Sequence, residues 1–172
     1  MAAESTTDEP PQGAEPPERR FSAANRRRLS GSAIRVFGNI ADLWRLTERE
    51  RLLVLGLPSR SAYRGWVRAG RAGTGLTLSL DTLLRISLVI GIHKALATLH
   101  TTPDKAVEWL RGAHRGAVFG GAPPMALITN GTQAGLMTVW HFLGAAQTGF
   151  YMEPNEADRD FVPYTDADII FC

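Results

Sequence analysis

Residues 80–99 of this 172-residue chain, LDTLLRISLVIGIHKALATL, constrain its architecture more than any other stretch. Ser79 stands where a helix cap is needed, Asp81 falls in the first turn where the helix dipole favours a carboxylate, and Arg85 follows Asp81 by four residues. Apolar residues at Leu80, Leu83, Leu84, Ile86, Leu88, Val89, Ile90, Ile92, Leu96 and Leu99 leave little polar surface in mid-helix. A helix of that kind is expected to be buried nearly all round and to form the spine of a core. Asp81, Arg85, His93 and Lys94 interrupt its apolar run, short of the uninterrupted length a membrane span needs.

The flanking segments also read as helices. Ile34, Val36, Phe37, Ile40, Leu43, Trp44 and Leu46 recur at helical period, so folding is expected to begin near Ser32. Thr47, with Glu48 and Glu50 behind it, predicts a second helix ending at Gly56. After Leu57-Pro58, either Ser59 or Ser61 can cap a third helix through Trp66 and Val67, with Gly70 and the run to Gly75 stopping it. Thr102-Pro103-Asp104 starts another helix, and Thr132 caps the last long one, with Leu136, Val139, Trp140 and Leu143 as its buried stripe. Trp109, Met125 and Met137 also lie at core spacing, with packing or partner contact as the two readings. No strand pattern of consequence is present, and the fold class is all-α.

A formal charge of +2 averages three unlike regions. Residues 1–18 carry five acids and no base, residues 19–68 carry twelve Arg against three acids, and residues 150–172 carry six acids against Arg159. The Arg-rich region reads either as a solvated surface or as the footprint of a polyanion, because Arg neutralises phosphate and donates forked hydrogen bonds to it. Helix, short Gly turn and polar-capped helix is the helix-turn-helix pattern, shared with ordinary helical hairpins. On its second helix Arg60, Arg64 and Arg68 recur every four residues and share a face, with Tyr63 on an adjoining one. Three like charges without acidic partners favour DNA as the occupant.

Chemistry of other kinds finds little support. His93 and His100 are seven apart with no Cys or carboxylate to complete a ligand spacing, so no metal site is predicted. Gly120-Gly121 lacks the Lys-Ser/Thr of a phosphate loop, no strand precedes Gly70–Gly75, and no nucleophile elbow is present, so neither catalysis nor a cofactor is predicted. The one cysteine, Cys172, permits no intrachain disulfide, and no secretory signal opens the chain; a cytoplasmic location is expected.

The segment Trp109 to Tyr151 reads WLRGAHRGAVFGGAPPMALITNGTQAGLMTVWHFLGAAQTGFY. It combines a Trp-Leu pair closing a helix, a Gly-Gly turn, a short Pro-started helix, and a final helix with Thr132, Gly135, Val139 and Leu143 before Gly149-x-Tyr151. In this order and spacing it resembles the toxin-binding segment of the MbcA/ParS/Xre antitoxin family. LGLPSRSAYRGWVRAG is similar to that family's recognition element, and the stretch from Thr77 to Leu99 to its long central helix. The likeness runs from Ser32 to Tyr151. This chain differs in having Gly116 where relatives commonly have Asn, Pro123-Pro124 and Ala126 where they have Ser-Pro and an Asp, and added length at Thr129-Asn130-Gly131.

The resemblance implies an antitoxin of a type II toxin–antitoxin pair, partnered by a toxin of the RES type that consumes NAD or ADP-ribosylates a target. It implies an N-terminal helix-turn-helix part, residues 32–75, packed on a central helix and toxin-binding part, residues 76–151; composition adds a disordered arm at 1–31 and an acidic tail at 152–172, where most relatives end soon after the Gly-x-Tyr. Ser59, Arg60, Ser61, Tyr63, Arg64 and Arg68 are the expected contacts of a homodimer with operator DNA, giving transcription repression. Phe119, Gly120, Gly121, Gly149, Phe150 and Tyr151 are the expected toxin contacts. The alternatives are a stand-alone helix-turn-helix regulator without a toxin partner and a pure toxin inhibitor whose helix-turn-helix no longer binds DNA.

Overall fold

Six of the seven helices in the described part of the chain, residues 21–149 of a computed structural model, start on a Ser or Thr hydroxyl that accepts a backbone N–H three residues on. They are α1 (Ala23–Leu43), α2 (Glu48–Val54), α3 (Arg60–Ala72), α4 (Leu80–Leu99), α5 (Pro103–Arg111), α6 (Pro124–Ile128) and α7 (Gln133–Gln147). α6 is the exception: Pro123 precedes it and supplies no side-chain cap. The described residues contain no strand, and the protein is all-α.

α4 lies against α1 and α7, α3 packs on α1, and α5, α6 and α7 continue the layer in order. Phe37, Trp44, Ile86, Ile92, Leu96, Leu110, Leu136 and Leu143 fill the shared core and are essentially inaccessible to solvent. By length and apolarity alone the twenty-residue α4 would suffice to cross a membrane, contrary to the expectation from its charges. Here it lies against α1 and α7, with Arg85 of its second turn buried. It is not buried all round: Leu80, Leu84 and Leu99 are each more than one-third exposed.

Three further expectations are corrected. α1 begins at Ala23, capped by Ser22, nine residues ahead of the predicted start. What holds this Arg-rich turn in the fold is residues 76–78 crossing it: Ser30 Oγ accepts the Leu78 N–H at 2.8 Å, and Arg26 donates to the Leu78 carbonyl at 2.9 Å. α3 does not stop at Gly70, which is buried where any Cβ would overlap Ile34 of α1; it runs on to Ala72 and ends on Gly73 in the left-handed conformation. On α7, Leu136, Val139 and Leu143 are buried as expected, but Trp140 is 42% exposed and Met137 39%, so neither is a core residue.

Arg85 ties the two halves of the layer. Its Nε donates to Asp81 Oδ2 at 2.8 Å and its Nη1 to the carbonyl of Gly131, at the start of α7, at 3.0 Å. The bare backbone of Gly56, in the turn between α2 and α3, lies on this pair, since a Cβ there would come within 3.0 Å of both Arg85 Nε and Asp81 Oδ2. A buried guanidinium with its hydrogen bonds satisfied fixes the register of the turns it joins.

The α6–α7 corner is closer still. A Cβ on Gly135 would run into the Leu127 carbonyl oxygen and stand 2.6 Å from Asn130 Nδ2. Asn130 itself accepts from the N–H and hydroxyl of Thr132, both at 2.8 Å, which gives the added Thr129–Gly131 length a structural task. Helix propensity favours Ala over Gly by about 1 kcal/mol. Overpacking against backbone costs roughly 1–3 kcal/mol and often more, because a carbonyl cannot swing aside as a side chain can. Gly135→Ala is therefore expected to be destabilising by about 2 kcal/mol, whereas Gly144→Ala in the same helix, where a Cβ meets nothing, is expected to be neutral or stabilising. Equal chemical-denaturation midpoints for the two variants would show that the corner relaxes freely.

Candidate functional site

The turn between α2 and α3 is locally determined. Thr47 and Glu50 form a capping box: the Glu50 N–H donates to Thr47 Oγ1 at 3.3 Å, and the Thr47 N–H donates to Glu50 Oε2 at 2.8 Å. Burial works to raise the Glu50 carboxyl, but the Thr47 hydrogen bonds and the Arg111 guanidinium outweigh it and hold the group below its usual range. Past Leu55 the chain takes left-handed backbone at Gly56 (φ 84°) and at Leu57 (φ 61°), the latter held by its N–H donating to the Leu52 carbonyl at 2.8 Å. Ser59 then caps α3, accepting the Ala62 N–H at 3.1 Å, and Ser61 is hydrogen-bonded to it at 3.0 Å. The cap is thus Ser59, of the two candidates.

α3 is seated by Tyr63 and Gly70, both buried, and by the half-buried Trp66 and Val67. That seat turns Arg60, Arg64 and Arg68 to solvent together with Ser59 and Ser61. Tyr63 is largely buried beside Arg51, where it supports α3, and it also lines the groove between α2 and α3. Burial would lower the Arg51 guanidinium, but Asp42 at 2.6 Å and the Tyr63 phenol hold it above its ordinary value. The Arg stripe is also not free of acids, since Arg64 pairs with Glu48 of α2 at 3.3 Å. Both partners are well exposed, so the pair contributes about 0–1 kcal/mol and yields readily to a stronger anion.

A groove of about 850 Å³ runs between α2 and α3, lined by Glu48, Arg51, Arg64, Arg68 and Arg71 among others. Arg71 escapes a reading of the sequence that ends the helix at Gly70; it follows Arg68 by three residues and falls within the arc of the other three. The site can bind an elongated anion through several forked donors at once. Among the described residues no group of three His, Cys, Asp or Glu side chains is placed to hold a metal ion.

The residues expected to face a toxin are divided by the structure. Phe119 is buried; its ring meets Trp109 edge-on at 5.9 Å and Phe142 at 4.8 Å, so it anchors the loop and is not a contact surface. His114 completes this cluster, its Nε2 lying 2.8 Å from the Trp109 carbonyl. The anchored loop closes on itself through Gly121 N–H donating to the His114 carbonyl at 2.9 Å. Gly120 (φ 56°) and Gly121 (φ 88°) are exposed at this closure, in backbone conformations that favour glycine. Gly149 (φ 86°) is exposed just past the end of α7, while Phe150 and Tyr151 lie outside the described residues. His93 and His100 line a pocket of about 160 Å³ under Trp44, where burial and the nearby Lys105 hold the His100 imidazole below its usual value.

No protein-family model matches the chain. Over 116 residues, 67% of its length, it is 33% identical to a protein of Sinorhizobium fredii (strain NBRC 101917 / NGR234) that bears the name uncharacterized protein y4oB, 84% of which is covered. At that identity and coverage, the chain belongs to the same family as y4oB of Sinorhizobium fredii.

Proposed function

We propose that this protein is the antitoxin of a type II toxin–antitoxin pair, neutralising a RES-type toxin through its C-terminal helices and repressing its own operon through α3. The observation that carries the DNA-binding half is the exposed row Arg60, Arg64, Arg68 and Arg71 on a helix capped by Ser59 and braced from behind by Tyr63. A helix so presented matches the major groove in width, and its forked donors suit guanine edges and phosphate alike. Support for the toxin-binding half comes from the ordered pattern of Trp109, Gly120, Gly121, Thr132 and Gly135 together with the exposure of the Gly120-Gly121 turn. No enzymatic step and no cofactor is assigned to this chain.

The two activities separate in space, and the test exploits this. Co-expressed with the RES-type toxin, the full chain is expected to restore growth, and a variant with Arg60, Arg64 and Arg68 all replaced by Ala is expected to restore it equally. A reporter driven by the DNA upstream of the gene is expected to be repressed by the first and not by the second. Loss of rescue in the folded triple variant would show that the row serves the toxin, and absence of rescue by the wild-type chain would overturn the antitoxin reading.

A further inference from the structure

The basic surface does not end with α3. A second groove, of about 370 Å³, lies between α1 and α3 and shares Arg51 and Arg71 with the first; a third, of about 550 Å³, shares Arg35 with the second and continues along the N-terminal half of α1. The third is walled by Arg27, Arg28 and Arg35 on one side and by the Gly73-Thr74-Gly75 connection on the other. These side chains differ from the other paired arginines of the molecule in what orients them. Arg45, Arg51, Arg64, Arg85 and Arg111 each meet a carboxylate. Arg28 instead donates from Nε and Nη2 to the Asn25 amide oxygen at 3.1 and 2.9 Å, and Arg35 donates to the Gly70 carbonyl at 2.7 Å. Arg27 lies over Gly75, where a Cβ would come within 2.7 Å of its Nη2. Neutral acceptors and a bare backbone hold the guanidinium groups in place without cancelling their charge. Among the described residues Arg27, Arg28, Arg35 and Arg71 form no ion pair.

We infer that α1 and the Gly73–Gly75 connection form a second, sequence-blind phosphate site, which takes the sugar–phosphate backbone of the same duplex whose groove α3 enters. The inference rests on the DNA-binding half of the proposed function and extends it to a part of the chain that the sequence assigned to an arm. Along α1, Arg27 to Arg35 spans about 12 Å, and Arg64 to Arg71 on α3 spans about 10 Å at the helical rise. A track of that length suits a polymer better than a small anion, because a duplex carries one charge per roughly 1.7 Å of axis. Backbone contacts fix register and orientation without reading bases, so this site supplies affinity and α3 supplies choice. Gly75 matters because it leaves room for the Arg27 guanidinium.

The experiment is fluorescence anisotropy of the full chain with two labelled duplexes, one from the DNA upstream of the gene and one of unrelated sequence, across a sodium chloride series. Replacing Arg27 and Arg28 by Gln is expected to lower the slope of log affinity against log salt by about 2, close to 0.9 for each phosphate no longer neutralised. Both duplexes should lose the same fold in affinity, with the preference between them intact. Gly75→Ala, which keeps every charge, should weaken both by a smaller equal factor, and thermal melting of each variant should match the wild type. An unchanged slope in the Arg27, Arg28 variant, with wild-type protein still preferring its own duplex, overturns this inference alone. A wild-type chain that binds neither duplex overturns the DNA reading with it.

Discussion

Replacing Arg60, Arg64 and Arg68 together by Ala is expected to weaken binding to the upstream duplex by at least a hundredfold and to leave the fold intact. Each Arg that reads a base or clasps a phosphate contributes about 1–3 kcal/mol, and tenfold in affinity corresponds to roughly 1.4 kcal/mol. Even the lower end, taken three times, exceeds two decades. The cost to stability is small by comparison. None of the three is buried, and among the described residues only Arg64 has an acidic partner, Glu48, in an exposed pair worth about 0–1 kcal/mol. Removing three like charges from one helix face relieves repulsion of similar size. Thermal melting followed by circular dichroism and gel-shift titration of the same samples measure both quantities. Retained affinity would move DNA binding off α3, and a collapsed melting curve would mean the row supports the fold.

Phe119→Ala is expected to destabilise the protein by about 3 kcal/mol, the lower end of the range for a buried Phe, because a loop can partly close over the space. The ring is 6% exposed and packs on Trp109 and Phe142, which face it from α5 and α7. Without it the loop keeps its own hydrogen bonds, among them Gly121 N–H to the His114 carbonyl, but loses its hold on the helices. Amide hydrogen exchange at residues 116–122 should rise well beyond the global change. Under the antitoxin reading, toxin neutralisation should fall with it, while affinity for the upstream duplex should not. Phe119→Leu should retain most of both. An unaltered melting midpoint in Phe119→Ala would mean that the ring stabilises nothing, and its burial would need another cause.

Where five of the helices start was legible in the sequence because a cap is a contact over three residues, whereas the Ser22 cap of α1 went unread. Thr47 with Glu50, Ser59, Ser79, Thr102 before Pro103, and Thr132 each satisfy backbone donors within one turn, whatever the rest of the chain does. The all-α class and the central place of residues 80–99 follow from the same local evidence together with apolar periodicity. The shared face of Arg60, Arg64 and Arg68 follows from spacing alone. Tertiary structure decided the rest. α7 is apolar on most sides, so its pattern names no single buried face; packing in the fold settles it by burying Leu136, Val139 and Leu143, while Trp140 stays 42% exposed with its indole against Gly91 of α4. Gly70 reads as a stop signal in isolation, yet the close approach of Ile34 makes it the residue that lets α3 continue to Arg71. The Arg-rich turn of α1 reads as an unpartnered arm until residues 76–78 cross it and bond to Ser30 and Arg26. The burial of Tyr63 and Phe119 depends on residues far along the chain and is not legible from their neighbours in sequence. Capping and spacing are set by neighbours within a turn, whereas which face is covered is set by partners fifty residues away.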